Sequence, residues 1–273
     1  MYVDVQLYSV GHCRNRAWFV ESGSFSRKLA LPALVARIVH PEAGAILFDT
    51  GYGLALQNLS SWAARAYRLL LPFSLPEENR ITRVPLADVR TVFLSHFHPD
   101  HIGGLRELPP GLPILHSSAG LAELQSYSPR RRFHAAFFPE LLPADFAARA
   151  RSIESLPTVT LADSWSPFTE ARDVMGDGSV LAVALPGHAV GQYGLLCRLR
   201  AGRWAFLVAD AAWTRRNITL LAMPGWPANR LTGEPAALRR TLAMLHAFHT
   251  RRPEVALLPS HCQDSMEAFR NGQ

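Results

Sequence analysis

Cysteine is scarce in this chain of 273 residues. Cys13, Cys197 and Cys262 are an odd three without C-x-x-C spacing, which argues against a disulfide framework and accords with a reducing compartment. Their default reading is small buried side chains. Long uncharged apolar runs are also missing. The richest stretch, 63–75, contains Arg65 and Arg68 and falls short of the ~18 to 20 residues a membrane helix needs, so no membrane span is expected. The first residues lack a basic segment followed by an apolar one, and the expected location is therefore the cytoplasm. Lysine is almost absent, with Lys28 alone, so the net charge of +6 is carried by arginine. The arginines are scattered apart from Arg130-Arg131-Arg132 and the pairs Arg215-Arg216, Arg239-Arg240 and Arg251-Arg252. No basic run interleaves with aromatics, which disfavours a nucleic-acid partner.

What the chain does have is core-forming material. With 48% hydrophobic and only 18% charged residues it is excluded from the disordered class. Its length suits one large α/β domain, expected over 1–273. Apolar runs bounded by Gly, Pro and Asp predict strands at 2–8, 34–39, 45–48, 92–95, 113–115, 180–185, 193–199, 204–209 and 255–258. Helical spacing appears at 59–71, 118–125 and 235–250, where Leu238, Leu242, Leu245 and Phe248 share a face. Strands come both as neighbours and separated by helices, which predicts two sheets or one mixed sheet with helices outside. The segments 54–84 and 126–179 read as insertions that carry a lid or binding surface.

The chemistry concentrates after the strand at 92–95. His96, His98, Asp100 and His101 follow within six residues, and Gly103-Gly104 then lets the backbone turn into a helix. Three imidazoles and a carboxylate this close would repel if protonated and lose solvation if buried neutral, so a shared cation explains them economically. His96 and His98, two apart in extended chain, point one way, whereas Asp100 and His101 lie past Pro99 and can face a second metal position. Four ligands cannot saturate two ions. Further candidates stand at strand ends: His188 after Leu185-Pro-Gly, Asp210 after Phe206-Leu-Val-Ala, and His261 after Leu257-Leu-Pro-Ser. His246 and His249 lack a third ligand and read as surface or packing residues; His12, beside Cys13 in a loop after the first strand, could reach the site.

The order H-x-H-x-D-H, Gly-His, strand-ending Asp and final His resembles the metallo-β-lactamase superfamily, over roughly Asp49 to His261. The resemblance implies a four-layer αβ/βα sandwich with two metals at the sheet edges. It would give His96, His98 and His188 to one ion, Asp100, His101 and His261 to the other, and Asp210 to both. Asp49, in Ile46-Leu-Phe-Asp-Thr-Gly, would support the ligands as a hydrogen-bond acceptor. Leu47-Phe-Asp-Thr-Gly, Pro186-Gly-His-Ala-Val-Gly and Asp210-Ala-Ala-Trp-Thr-Arg-Arg-Asn look most like N-acyl homoserine lactonases. Those enzymes usually carry a tyrosine where this chain has Trp213, and several relatives have a histidine where it has Gln192.

A nitrogen and carboxylate ligand set suits zinc, manganese, iron or cobalt, and zinc is the choice here. The implied activity is a metal-dependent hydrolase in which a bridging hydroxide attacks a carbonyl ester, with Asp210 and Asp100 catalytic and Asp100 passing a proton to the leaving group. A lactone is the first substrate, a small-molecule acyl ester or thioester the alternative. Nucleic-acid phosphodiesterase and di-iron oxidoreductase readings are disfavoured, the latter because relatives of that kind replace His98 by Glu. Leu59, Trp62, Ala63, Ala66, Leu70 and Phe73 form a helical stripe widened by Tyr67 and Leu71. This face is either core, a homodimer contact, or the wall of a substrate groove with Tyr67, Leu71, Trp213 and Phe137, joined by Phe133 and Phe138.

Overall fold

The computed structural model describes residues 1–21, 28–225, 228 and 233–272, and in them thirteen strands form two sheets. Sheet one contains β1 (Asp4–Arg16), β2 (Lys28–His40), β3 (Gly44–Phe48), β4 (Phe73–Ser74), β5 (Val89–Phe93), β6 (Ile114–His116) and β7 (Ala150–Ser152), in the order β4-β1-β2-β3-β5-β6-β7. Sheet two contains β8 (Thr158–Thr160), β9 (Glu170–Asp173), β10 (Val180–Ala184), β11 (Tyr193–Arg198), β12 (Trp204–Ala209) and β13 (Ala256–Pro259), in the order β13-β12-β11-β10-β9-β8. The pairs β3/β5, β5/β6, β6/β7 and β12/β13 are parallel. Long stretches of the chain must therefore cross over outside the sheets, which is where the helices lie.

Side chains alternate across each strand and sort into separate cores. Ile46, Phe48 and Phe93 from sheet one meet Ala182, Leu195, Cys197, Ala205 and Leu207 from sheet two in a dry layer between the sheets. Ala45, Leu47, Val92 and Leu94 point the other way, beneath Leu56, Ala64, Tyr67, Leu121 and Leu124 from helices. On the far side, Leu196, Phe206 and Val208 pack under Leu238, Leu242, Leu245 and Phe248 of the helix Pro235–Arg251. Helix, sheet, sheet and helix make the four layers expected from the resemblance.

Several local expectations need correction. β1 runs for 13 residues, well past 2–8, because a bulge between Ser9 and His12 with Gly11 at φ 78° bends it around the sheet edge without ending it. His12 is thus a strand residue opposite Pro32, not part of a loop. The segment 126–179 contains β7, β8 and β9, strands of three or four residues that extend both sheets and are too short to show periodicity. The helix after the histidine motif starts at Pro99, before the Gly pair, and so includes Asp100 and His101. Gly103 and Gly104 serve close approach: a Cβ on Gly104 would lie 2.5 Å from the Thr50 carbonyl oxygen. The helix Trp62–Leu70 is capped by Ser61 and packs inward through Ala64 and Tyr67, so the predicted stripe of Trp62, Ala66 and Leu70 is the outer face. Leu59 and Phe73 lie outside that helix, and a further helix, Gln263–Asn271, packs inward through Ser265, Met266 and Phe269. No helix among the described residues is long and apolar enough to cross a membrane.

Candidate metal centre

Five chain segments leave the same edge of the two sheets. β3 delivers Asp49, β5 leads to His96, His98, Asp100 and His101, β10 to His188, β12 to Asp210, and β13 to His261. Polar side chains at strand ends escape the dry layer between the sheets while the strands hold them rigidly. Asp49 and Ala209 take positive φ, 60° and 49°, turning the chain sharply where β3 and β12 end. Gly187, at φ 126°, lets the turn before His188 press against the long helix; a Cβ there would meet the Leu238 nitrogen at 2.0 Å.

The seven sequence-nominated side chains come together in two groups. One nitrogen or oxygen from each of His96, His98, His188 and Asp210 falls within 4.8 Å of the others, and the same holds for Asp100, His101 and His261. Asp210 joins the groups: its Oδ1 is 3.4 Å from His101 Nε2, and its Oδ2 is 3.3 Å from His188 Nε2 and 3.2 Å from His261 Nε2. His188 Nε2 is 2.9 Å from His98 Nδ1.

The supporting hydrogen bonds settle which ring nitrogen faces inward. His101 Nδ1 lies 2.8 Å from Asp49 Oδ2, and His261 Nδ1 lies 2.6 Å from the Pro32 carbonyl, so each gives its Nδ1 proton outward and keeps an Nε2 lone pair for the centre. Asp49 is fully buried and also accepts from Ser95 N at 2.8 Å and Ser95 Oγ at 2.7 Å. Ser95 and Pro32 had no part in the sequence reading; nothing in a sequence marks a backbone carbonyl as a partner.

The electrostatics of the cluster suit a divalent cation. Burial, then neighbouring His101 and His98, drives the His96 pKa well below the ordinary imidazole value; burial likewise lowers His98 to about 4 and holds His188 well below that ordinary value. Burial opposes charge on His101 and His261 too, but Asp210, with Asp49 and Asp100 beside His101 and Asp100 beside His261, raises both. Burial alone would raise Asp210; the imidazoles of His261, His101 and His188 instead hold it well below the carboxylate range. His96 Nε2, His101 Nε2 and Asp210 Oδ1 are buried with no hydrogen-bond partner among the described residues. Such orphans carry a desolvation penalty of ~1–3 kcal/mol each. Convergent imidazole and carboxylate donors with unspent lone pairs fit divalent cations, and no thiolate intrudes.

An apolar cleft of about 790 Å³, open mouth included, lies over this centre. His98, Asp100, His188, Asp210 and His261 form its floor; Tyr67, Leu71 and Trp213 form walls as the sequence suggested. Phe137 does not: it is fully buried, 5.9 Å from the Phe97 ring, because the short helix Pro129–His134 presents Phe133 to the cleft and the turn after it adds Ala136. Phe138 likewise packs against Tyr67 in the core, at 5.5 Å. Cys13, Phe19, Leu31 and Tyr52 complete the walls and were not anticipated, although the β1 alternation that buries Cys13 turns its neighbour His12 away. Trp213 stands 5.5 Å from His188 and 6.4 Å from His261, stacked on Phe19. His246 bonds the Ile218 carbonyl at 2.9 Å, and neither it nor His249 lines the cleft.

Residues 32–250 match the model of the metallo-beta-lactamase superfamily. The chain is 27% identical to the N-acyl homoserine lactonase AttM of Azorhizobium caulinodans, an alignment covering 93% of this chain and 96% of that one. Among solved structures it resembles a Bacillus thuringiensis AiiA variant with N-decanoyl-L-homoserine bound at the active site, at TM-score 0.73 and 18% identity over 98% of this chain and 97% of that one. It also resembles AidC, a dizinc quorum-quenching lactonase, at TM-score 0.62 and 14% identity, over 96% and 90%.

Proposed function

The chain belongs to the metallo-beta-lactamase superfamily and is a metal-dependent hydrolase, and we propose that it opens the ring of N-acyl homoserine lactones at a dinuclear centre. The observation that carries this reading is the pair of donor groups joined by Asp210 beneath an apolar cleft. In it, His96, His98 and His188 would hold one divalent ion, Asp100, His101 and His261 the other, and Asp210 would serve both, with zinc suited to each set. When bound, the ions supply Lewis acidity and a water whose pKa falls from ~15.7 toward ~7, which is a nucleophile at neutral pH.

The chain's own residues do the rest. Asp49 and the Pro32 carbonyl keep His101 and His261 in the tautomer whose Nε2 is free to ligate. The buried Asp210 carboxylate balances the positive charge of the centre. Asp100 reaches the cleft floor, where it can move a proton to the departing ring oxygen. The walls from β1, the helix Trp62–Leu70 and Phe133 bind an acyl chain and keep bulk water out. Trp213 Nε1 is buried with no partner among the described residues, and Trp213 lines the same space, so its N–H would donate to a substrate carbonyl where a phenol stands in the lactonases this sequence resembles.

The test is metal analysis of purified protein followed by a panel of lactones, thioesters and phosphodiesters. About two ions per chain with lactones preferred supports the reading. Preference for thioesters at the same metal content would move the substrate class, and phosphodiesters would overturn it.

A further inference from the structure

Much of the outer face of the helix Trp62–Leu70 is left exposed by the described residues. Trp62 is 59% exposed, Leu69 84% and Leu70 61%, which is unusual for three large apolar side chains on one short helix. They share an arc with Ala66, while Ala64 and Tyr67 on the opposite arc are buried. Trp62 packs against Phe133 with ring centroids 5.1 Å apart, which unites this helix and Pro129–His134 in one surface. The exposed arginines of that surface are Arg65 on the first helix and Arg130 and Arg131 on the second, whereas Arg68 bonds the Leu56 and Leu59 carbonyls and Arg132 the Gln125 carbonyl; neither helix contains an acidic residue. Arg65, Arg130 and Arg131 are exposed, and Arg131 lies over the Tyr127 ring at 3.7 Å. The surface borders the catalytic cleft, since Leu70, Leu71 and Phe133 line its mouth.

We propose that this face docks on an anionic lipid surface, with Trp62, Leu69 and Leu70 in the interfacial layer and the arginines against lipid headgroups. Apolar side chains flanked by arginine on a helix lying flat match that environment on both counts, burial and charge. Charge also separates lipid from the other obvious occupant, a second copy of the chain. In a two-fold interface the same patch meets itself, and the exposed Arg65, Arg130 and Arg131, with no carboxylate on either helix, would bring like charge against like charge. An anionic membrane has the complementary sign. Docked this way, the mouth of the cleft opens onto the layer where amphiphilic esters dissolve.

Co-sedimentation of the full-length metal-loaded protein with vesicles tests this without reference to catalysis, so its outcome is independent of the substrate assignment. Vesicles of equal phosphatidylcholine and phosphatidylglycerol should bind at least tenfold better than pure phosphatidylcholine at low salt. Trp62→Ser with Leu69→Ser, and separately Arg65→Glu with Arg130→Glu, should each reduce binding about tenfold or more, with unchanged circular dichroism. Leu69→Asp, at the most exposed position, provides a substitution that cannot disturb packing. Equal or absent binding to both vesicle types by the parent protein would overturn the proposal. So would a dimer in sedimentation equilibrium that Leu69→Asp dissociates, because a second copy would then be what covers the patch.

Discussion

Replacing Asp49 by Asn changes one atom, keeps the side-chain volume and should still disable the second metal position. Asp49 accepts three hydrogen bonds, from Ser95 N, Ser95 Oγ and His101 Nδ1. An asparagine must keep its oxygen toward the Ser95 backbone N–H, which has no other acceptor at that position. Its NH2 then faces Ser95 Oγ and His101 Nδ1. Donating to Nδ1 forces the His101 proton to Nε2, the atom that faces Asp210 at 3.4 Å and Asp100 at 3.9 Å and that must offer a lone pair to a metal. Loss of such a supporting partner costs about 10- to 100-fold in metal affinity. With each tenfold worth ~1.4 kcal/mol, the expected penalty is about 1.4–2.7 kcal/mol, and the tautomer conflict places it toward the upper end. Competition of the zinc-loaded variant against a chelator of known affinity measures it directly. The weaker ion should be lost at lower chelator concentration while the tighter one is retained, and the Tm of the metal-free protein should change far less than that of the loaded form. Parental affinity for both ions, with full activity, would refute the reasoning that Asp49 sets the His101 tautomer.

Three other substitutions or series probe different links. Asp210→Asn should abolish most activity because it removes the charge and one of the oxygens shared by both donor groups, whereas His249→Ala, away from the cleft, should leave kcat/KM within a few-fold; equal losses would mean the centre is misplaced. Gly187→Ala should destabilise the protein by more than ~2 kcal/mol in denaturant unfolding, since the added Cβ would collide with the Leu238 backbone at a φ that disfavours any side chain; a neutral result would show that the turn before His188 can relax. For N-acyl homoserine lactones, kcat/KM should rise with acyl length before levelling, each buried methylene contributing up to ~0.8 kcal/mol, and a flat profile with preference for charged substrates would remove the cleft as an acyl site.

The cluster of donor side chains was legible because its chemistry is expensive in any other role. Four polar residues crowded behind an apolar strand, and His188, Asp210 and His261 each ending another, have no good resting place in a core except around a cation. The long amphipathic helix Pro235–Arg251 was equally readable from its periodicity, and strand β12 from its unbroken apolar run. What stayed hidden was decided by partners distant in sequence. β7, β8 and β9 are strands only because a neighbouring edge offers hydrogen bonds. The helix Trp62–Leu70 has apolar residues on both sides, so its pattern alone cannot say which face turns inward; Ala64, Tyr67 and the neighbouring Phe138 decide it. Phe133 and Phe137 are a single turn apart, and only the tertiary packing on Phe97 sends one to the core and the other to the cleft.

The central claim is a two-ion centre that hydrolyses lactones, and its most direct test is a zinc titration of metal-free protein with N-acyl homoserine lactone hydrolysis followed at each addition. Seven donors split into groups of four and three joined through Asp210 predict saturation at two zinc ions per chain, with activity rising mainly as the second ion binds. Saturation at one ion with full activity, and no further change when Asp100 is replaced by Ala, would contradict it.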